Sequence, residues 1–281
     1  MTKILVTGAT GFIGKHLLPR LLAVGHDVIE ANSQTGDIAT ESTWLKFPQT
    51  EVVIHLAGKT FVPESWADPP LFIKCNLLGT VAALNYCKKN NARLIFLSSY
   101  LYGNLKMLPI PETAPLIANN PYSLSKKLAE EVCYFYSDKF DINIAVLRPF
   151  NVYGLGQREY FLIPSIIRQV NSGNVIQVKD LEPRRDYIYI KDLVDVIVRT
   201  VDLKHGYYVF NVGSGASHSV AEIIQIIQKL KNTRLQVRSS EEKRKNEIMN
   251  TVADITLIKK ALGWTPKWTI AQGMKNMLFG D

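Results

Sequence analysis

The chain has 281 residues, of which 47% are apolar and 21% charged, with a formal net charge of +8. This length and composition are typical of a globular protein with one large core, or with a core domain and a smaller companion. The basic residues are scattered, and no basic stripe alternates with aromatic residues, so we do not expect nucleic-acid binding.

The cysteines and apolar runs indicate the compartment. Cys75, Cys87 and Cys133 lack Cys-x-x-Cys spacing, so neither a metal site nor a disulfide framework is expected. The first apolar run breaks at Gly8, unlike that of a signal peptide, and no run is long enough to cross a bilayer. We therefore expect a cytoplasmic protein with no membrane partner.

The first turn of the chain has the pattern of a dinucleotide-binding loop. Residues 3–6 predict a buried strand, and apolar residues return at helical spacing after the turn. Gly8 allows a sharp turn, Gly11 allows a pyrophosphate to approach the backbone, and Gly14 allows the helix to pack closely. The free amides at the helix start then face the phosphates.

The end of the second predicted strand, residues 27–31, bears on the choice of cofactor. An acidic side chain there binds both ribose hydroxyls of NAD and repels the extra phosphate of NADP. That position holds Asn32, followed by Ser33. NADP(H) is therefore favoured, although NAD(H) remains open because no arginine follows to neutralise the phosphate.

Strands and helices continue to alternate. Residues 51–58 predict a third strand with a small-residue exit, and residues 93–97 a fourth that ends in Ser98-Ser99. Between them, helix 71–89 contains Asn76 and Gly79, so either the helix bends or Asn76 satisfies a neighbouring loop. The later predicted elements are helix 122–139, strand 142–147, helix 163–170, strand 175–178, helix 192–201, strand 207–211 and helices 220–230 and 255–262.

This alternation predicts an α/β fold with a parallel, doubly wound Rossmann sheet covered on both faces. We assign residues 1–150 to the nucleotide-binding domain, with a return near residues 186–212. The regular alternation of strands and helices ends after residue 150. We expect residues 151–281 to form mainly a smaller substrate-binding cap.

Tyr122 and Lys126 lie four residues apart, which places both on one face of the predicted helix. An isolated tyrosine titrates near pH ~10, and a nearby ammonium stabilises the phenolate, which makes proton transfer more effective near neutral pH. The serines at residues 98 and 99 end the neighbouring strand at the sheet edge where the cofactor is expected.

These motifs together resemble the extended short-chain dehydrogenases/reductases, in the branch that acts on nucleotide-diphosphate sugars. The matching motifs, which span nearly the whole chain, are residues 7–14, Asp37-Ile38, residues 55–58, Asn76-x-x-Gly79-Thr80, Ser98-Ser99-x-x-Tyr102-Gly103, Tyr122-x-x-x-Lys126, residues 148–154, residues 185–192, Ala253-Asp254-Ile255 and Leu262-Gly263-Trp264-x-Pro266.

The resemblance implies catalytic roles. Tyr122 would be the acid/base, and Lys126 would bind the nicotinamide ribose and lower the pKa of Tyr122. Ser98 would hydrogen-bond the reacting oxygen. We choose Ser98 over Ser99 because the family's catalytic hydroxyl lies five residues before the glycine of Tyr-Gly, here Gly103.

The resemblance also implies two sets of binding residues. The residues expected to bind the cofactor are Gly8, Thr10, Gly11, Phe12, Ile13, Asn32, Ser33, Asp37, Ile38, Leu56, Ala57, Gly58, Asn76, Tyr122, Lys126 and Pro149. Those expected to bind a nucleotide-diphosphate sugar are Ser99, Tyr100, Asn151, Arg185 and Arg244. The two arginines would hold the diphosphate, because a guanidinium forms paired, charge-assisted bonds with phosphate oxygens.

The residues that follow Ser98 argue against two activities found in similar proteins. Similar 4,6-dehydratases place Asp-Glu directly after the catalytic hydroxyl, where this chain has Ser99-Tyr100. Reductase–epimerases that use a cysteine in this loop also match poorly, because Tyr100 takes its place. Reduction of a 4-keto-6-deoxy sugar nucleotide and NAD-dependent 4-epimerisation remain. The missing acid after the second strand and the short chain favour the NADPH-consuming reductase.

Two further expectations concern regulation and assembly. A non-catalytic NAD(P)-sensing protein would need a broken Ser/Tyr/Lys set, and the set is intact. Helices 71–89 and 122–139 could form the four-helix homodimer interface common in similar proteins, although monomeric members exist.

Overall fold

The computed structural model describes residues 1–173, 175–242 and 248–280. The strands are β1 (Lys3–Thr7), β2 (Asp27–Ala31), β3 (Val52–His55), β4 (Arg93–Leu97), β5 (Ile144–Pro149), β6 (Asn151–Tyr153), β7 (Ile176–Val178), β8 (Arg184–Tyr189), β9 (Tyr207–Val212), β10 (Ser217–Ser219) and β11 (Val237–Ser239). The α-helices are α1 (Phe12–Ala23), α2 (Glu41–Trp44), α3 (Val62–Ala67), α4 (Pro69–Phe72), α5 (Gly79–Asn90), α6 (Pro121–Phe140), α7 (Leu162–Ser172), α8 (Ile190–Thr200), α9 (Val220–Leu230), α10 (Thr256–Leu262) and α11 (Ile270–Phe279).

The chain divides into two compact units. The first comprises Met1–Gly103, Glu112–Pro149 and Val194–Asn211. The second comprises Asn104–Pro111, Phe150–Leu193 and Val212–Asp281.

The first unit is built on a six-stranded sheet of order β2-β1-β3-β4-β5-β9. The pairs that join its first five strands are parallel, with Thr7 opposite His55 and Leu97 opposite Leu147. Every residue of β3 and β5 is buried, as expected for strands covered on both faces. The predicted α/β fold with a Rossmann-like central sheet is therefore confirmed. The carboxyl ends of β1, β3 and β4 lie at one edge of this sheet.

Helix α6 is defined by local signals at both ends. The Asn120 side chain accepts a hydrogen bond from the Ser123 amide and Ser123 caps in return, while Pro121 occupies the first turn. Asp141 ends the helix in the left-handed conformation, with φ of +55°. This long, capped helix carries Tyr122 and Lys126, as predicted.

The helix predicted over residues 71–89 is not continuous. A π-helical segment, Ile73–Leu78, separates α4 from α5. Asn76 is buried within it and bonds the backbone of Lys59 through both of its amide atoms, at 2.8 and 3.0 Å. Both predicted alternatives therefore occur, since the helix is distorted and Asn76 satisfies a loop.

The second unit contains a three-stranded sheet of order β10-β8-β6 and a two-stranded sheet of β11 and β7. The buried Asp186 carboxylate on β8 accepts hydrogen bonds from the amides of Ser214, Gly215 and Ala253. Strands β6, β8, β10 and β11 and helix α11 were not among the predicted elements. Helix α11 nevertheless has a visible start signal, because Thr269 and Gln272 form a capping box.

Candidate active site

The glycine turn between β1 and α1 is closely packed. Gly8 has φ of +69°, and a Cβ there would lie 2.8 Å from the backbone nitrogen of Ala57. A Cβ on Gly14 would collide with the carbonyl oxygen of Ala9. Gly11 caps α1 without a side-chain hydrogen bond, so the first-turn amides of the helix are available to a ligand. This turn fits the pyrophosphate of a dinucleotide.

The exits of β1 and β3 are joined by a small hydrogen-bonded cluster. The hydroxyl of Thr7 lies 2.8 Å from Nδ1 of His55, and the Ala57 amide donates to the same hydroxyl at 3.2 Å. Burial, and then the charge of Lys126, lower the pKa of His55 to about 3. His55 is therefore neutral at pH 7 and supports the strand exit beside Gly8.

The turn after β2 holds Asn32 and Ser33, where the adenosine ribose is expected. The side-chain oxygen of Asn32 accepts a hydrogen bond from the Gln34 amide at 2.9 Å, which fixes a tight turn. The ammonium of Lys46 donates to the carbonyl of Thr35 at 2.9 Å. A cation missed by the sequence argument thus lies at the end of this turn.

Asp37 forms an ion pair with Lys74, with 2.6 Å between its carboxylate and the ammonium. This hydrogen bond to Lys74 is the main reason that the pKa of Asp37 is lowered. Ile38 packs against Gly79, since a Cβ at that position would lie 3.0 Å from the Ile38 side chain. The predicted cofactor-binding pair Asp37-Ile38 is therefore held against the helical segment that contains Asn76.

Asn76 connects the backbone after β3 to helix α6. Its amide nitrogen donates to the hydroxyl of Ser125 on α6 at 2.9 Å. Its side-chain oxygen leaves no space for a larger residue at position 58, since a Cβ on Gly58 would lie 2.7 Å away. Asn76 therefore fixes the Gly58 backbone relative to the first turn of α6.

Tyr122 lies at the start of α6 with its ring against Phe72, 6.3 Å between centroids. Burial raises its pKa to about 12, while a hydrogen bond with the Ser99 side chain opposes that rise. The predicted lowering by Lys126 is wrong for this structure. Lys126 instead donates to the carbonyl of Leu97 at 2.6 Å and lies 4.3 Å from the centroid of the Phe96 ring.

The pKa of Lys126 is also shifted from its ordinary value. Burial lowers its pKa to about 8, although the nearby Glu130 carboxylate favours the charged form. Its ammonium is the only formal charge of the predicted Ser98/Tyr122/Lys126 set at neutral pH.

Ser98 belongs to a different cluster from Ser99. It is only 4% exposed, and its hydroxyl donates to the Glu130 carboxylate. Arg148 binds the same carboxylate through Nε at 3.0 and 3.1 Å and through Nη2 at 2.6 Å. Arg148 also donates to the hydroxyl of Tyr102 at 2.9 Å. Ser98, Glu130 and Arg148 thus form a buried polar core behind Lys126.

The predicted substrate-binding residues of the second unit are anchored around β8. Asn151 donates to the carbonyl of Asp186 at 3.1 Å. Arg185 donates to the carbonyls of Arg184, at 2.9 Å, and of Ile248. Arg244 lies outside the described residues.

Comparison with known proteins identifies the group to which this fold and site belong. The profile of the NAD-dependent epimerase/dehydratase family matches residues 4–213. The chain belongs to that family. Its predicted identity as an extended short-chain dehydrogenase/reductase is thereby confirmed.

This epimerase/dehydratase family member has relatives with different activities. It is 31% identical to the GDP-6-deoxy-D-mannose reductase of Pseudomonas aeruginosa, over 98% of this chain and 96% of the relative. It is 30% identical to a putative UDP-glucose 4-epimerase of Methanocaldococcus jannaschii, over 98% and 97%. The structure of RMD from P. aeruginosa complexed with NADPH superposes with a TM-score of 0.91, at 29% identity over 99% of this chain and 98% of that one.

Family membership indicates an NAD(P)-dependent enzyme. None of the helices in the described part of the chain is both long and apolar enough to cross a membrane. The roles of the individual site residues remain predictions.

In this family member, the sequence analysis did not find the buried residues that hold helix α6 in place. Glu130 was not singled out, although it follows Tyr122 and Lys126 at four-residue intervals and so shares their helical face. That spacing was the available signal. Its partner Arg148 is 18 residues away and on another element. No local sequence pattern predicts that Arg148 and Glu130 form a pair.

Proposed function

We propose that this protein reduces the C4 keto group of a nucleotide-diphosphate 4-keto-6-deoxy sugar, with NADPH as the hydride donor. The observation that carries the proposal is the environment of Tyr122. Among the described residues, the side chains that shift its pKa or stack on its ring are Ser99, Tyr100 and Phe72, and none of these three is a carboxylate. A dehydration of the sugar would need such an acid/base pair beside the tyrosine, whereas a ketone reduction needs only a proton donor.

The protonation state of Tyr122 also supports reduction. With a pKa of about 12, its hydroxyl retains its proton at neutral pH. A ketoreductase begins with this protonated form, because the carbonyl oxygen must receive a proton.

In the proposed reaction, each site residue of the first unit has a separate role. When bound, NADPH supplies a hydride to C4. Tyr122 donates its proton to the carbonyl oxygen, so the product is the C4 alcohol and the tyrosinate is reprotonated from solvent. Lys126 is mainly charged at pH 7, since its pKa is about 8, and would hold the nicotinamide ribose. The first-turn amides of α1 would hold the pyrophosphate.

The relatives support the same assignment. The P. aeruginosa relative is named GDP-6-deoxy-D-mannose reductase, and the structure of RMD contains NADPH. The M. jannaschii relative, named a putative UDP-glucose 4-epimerase, supports the alternative activity at similar identity.

We propose that NADP(H) is preferred over NAD(H). Neither Asn32 nor Ser33 carries the charge that would repel a ribose phosphate. The exposed Lys46 ammonium, held on the Thr35 carbonyl, adds a positive charge beside this turn. A ribose phosphate would gain from that charge, and an unmodified ribose would not.

We further propose a homodimer formed through α5 and α6. Leu124 and Phe135 on α6 are 44% and 52% exposed, and Leu78 before α5 is 47% exposed. Exposed apolar side chains on adjoining helices are typical of an interface. Leu124→Glu should give a monomer in sedimentation experiments, whereas Leu22→Glu, at an exposed apolar site on α1, should leave the dimer intact.

A cytoplasmic location is proposed on the state of the cysteines. Cys75, Cys87 and Cys133 are free thiols. Free thiols are typical of a reducing compartment.

The experiment that tests the proposed function offers the purified protein two substrate panels. The first contains 4-keto-6-deoxy sugar nucleotides with NADPH, and the second contains ordinary UDP-sugars without added reductant. We expect NADPH oxidation with a keto sugar and no reaction in the second panel. Interconversion of 4-epimers in the second panel, with no reduction in the first, would establish the epimerase instead.

A further inference from the structure

We infer that Arg148 is a positioning residue for the cofactor site. By occupying the Glu130 carboxylate, it prevents an ion pair between Glu130 and Lys126 and leaves the Lys126 ammonium to the nicotinamide ribose. This inference rests on the proposed function, in which Lys126 holds that ribose. Arg148 itself would touch neither cofactor nor substrate.

Helical spacing by itself would pair Lys126 with Glu130. The two residues are four positions apart on α6, so their side chains share one face of the helix. Both are buried, with 6% and 4% of their surfaces exposed. Opposite charges at this spacing attract each other, and burial strengthens the attraction because water screens it less. A direct ion pair is therefore the arrangement that α6 alone favours.

The structure shows a different arrangement. The Lys126 ammonium donates to the carbonyl of Leu97 at 2.6 Å and lies 4.3 Å from the centroid of the Phe96 ring. Among the described residues, Leu97 is its only hydrogen-bond partner. An ammonium has three donors, so Lys126 can still donate to a ligand.

The Glu130 carboxylate is fully occupied by other donors. Its Oε1 accepts the Ser98 hydroxyl and Arg148 Nε, the latter at 3.1 Å. Its Oε2 accepts Arg148 Nε at 3.0 Å and Nη2 at 2.6 Å. A carboxylate has about four acceptor positions, and these contacts use them all. The positive charge of Arg148 also compensates the charge that would attract Lys126.

Arg148 is held in this orientation from its other side. Its Nη1 donates to the hydroxyl of Tyr102 at 2.9 Å and to the carbonyl of Glu112 at 3.0 Å. A planar guanidinium can make these bonds while it pairs with a carboxylate, which an ammonium cannot do. The surrounding residues therefore direct Arg148, rather than Lys126, to Glu130.

The other titratable side chains beside Lys126 are neutral. Cys133 and Tyr122 share α6 with Lys126, and His55 lies at the end of β3. Burial raises the pKa of Cys133 well above its ordinary value, raises that of Tyr122 to about 12 and lowers that of His55 to about 3. Glu130 is therefore the group whose charge can draw Lys126 away from the cofactor.

Loss of Arg148 should redirect Lys126. An uncompensated Glu130 carboxylate would raise the pKa of Lys126 above its value of about 8 and draw the ammonium away from the Leu97 carbonyl. The nicotinamide ribose would then lose a charged donor. NADPH should bind more weakly, and the pH at which its affinity begins to fall should be higher.

The test measures NADPH affinity by titration between about pH 7 and pH 10, without a sugar substrate. In the parent, the affinity should begin to fall near pH 8, where Lys126 loses its charge. Arg148→Met should bind NADPH about tenfold or more weakly at pH 7, the cost of one hydrogen bond to a charged group, and its affinity should begin to fall at a higher pH. Lys126→Met should show no such fall.

Three further variants separate this role from a merely structural one. Glu130→Leu/Arg148→Met also removes the competing carboxylate, so its affinity at pH 7 should return toward the parental value and begin to fall below pH 8. Arg148→Lys retains the positive charge and should lie between the parent and Arg148→Met. Ile144→Ala, at a fully buried position on β5, should lower Tm without changing the pH at which the affinity falls.

The inference would be overturned if the affinity of Arg148→Met fell at the parental pH, or if the double variant bound NADPH no better than Arg148→Met. A parental fall that persists in Lys126→Met would also overturn it. If Arg148→Met does not fold, equal pH values for the fall in Arg148→Lys and in the double variant would do so. Absence of ketone reduction by the parent would refute the proposed function alone, because these titrations contain no sugar.

Discussion

Removal of Arg148 should be strongly destabilising, because it leaves the Glu130 carboxylate buried without the guanidinium that is hydrogen-bonded to it. The two side chains are 8% and 4% exposed, and three hydrogen bonds of 2.6–3.1 Å join them. Breaking such a pair from one side costs about 3–5 kcal/mol. Arg148→Met should therefore lower the free energy of unfolding by that amount, measured by urea denaturation with two independent spectroscopic probes.

The same helix provides a matched control. Lys127 and Glu131 are 3.5 Å apart, with side chains 36% and 56% exposed, so Glu131→Gln should cost at most about 0.5 kcal/mol. The double variant Glu130→Leu/Arg148→Met removes both charges and should recover much of the loss. A cost below about 1 kcal/mol for Arg148→Met, or a double variant no more stable than the single one, would refute the reasoning.

Three further predictions concern the site. Tyr122→Phe should lower kcat roughly a hundredfold or more while retaining NADPH affinity. The control Tyr134→Phe, at an exposed position on α6, should leave kcat unchanged. Unaltered turnover in Tyr122→Phe would show that this residue takes no part in the mechanism. By titration, Asn32→Asp should reverse a preference for NADPH over NADH, and Lys46→Ala should weaken NADPH alone; equal affinities in the parent would contradict this. Because the pKa of His55 falls from its usual 6.5 to about 3 on folding, its contribution to stability is complete above pH 6.5 and is lost as the pH falls toward 3. The stability of the parent relative to His55→Asn should thus drop by about 2 kcal/mol between pH 6.5 and 5, and a constant difference would disprove the burial argument.

The elements that the sequence could predict are those with local signals. The glycine turn, the parallel strands and helix α6 each have a period, a cap or a special backbone residue within a few positions. The four-residue spacing of Tyr122 and Lys126 predicted that they share one face of a helix, and the resemblance to the family implied their roles. The bond between Ser98 and Glu130 could not be predicted in this way, because the two residues are 32 positions apart in the chain.

The remaining features depend on contacts between distant residues. Lys46 reaches the turn after β2 only because the chain returns through α2, and the sequence argument therefore found no cation there. Arg148 and Glu130 meet across β5 and α6. The pKa of Tyr122 rises because burial outweighs its hydrogen bond with Ser99, which spacing to Lys126 could not reveal.

The central claim is that hydride is transferred from the cofactor to the sugar and stays there. The most direct test uses NADPH deuterated at the nicotinamide position that donates hydride, mixed with a 4-keto-6-deoxy sugar nucleotide. For each NADPH oxidised, mass spectrometry and NMR should find one deuterium at C4 of the product. Interconversion of C4 epimers with no net NADPH oxidation and no deuterium in the sugar would contradict the account.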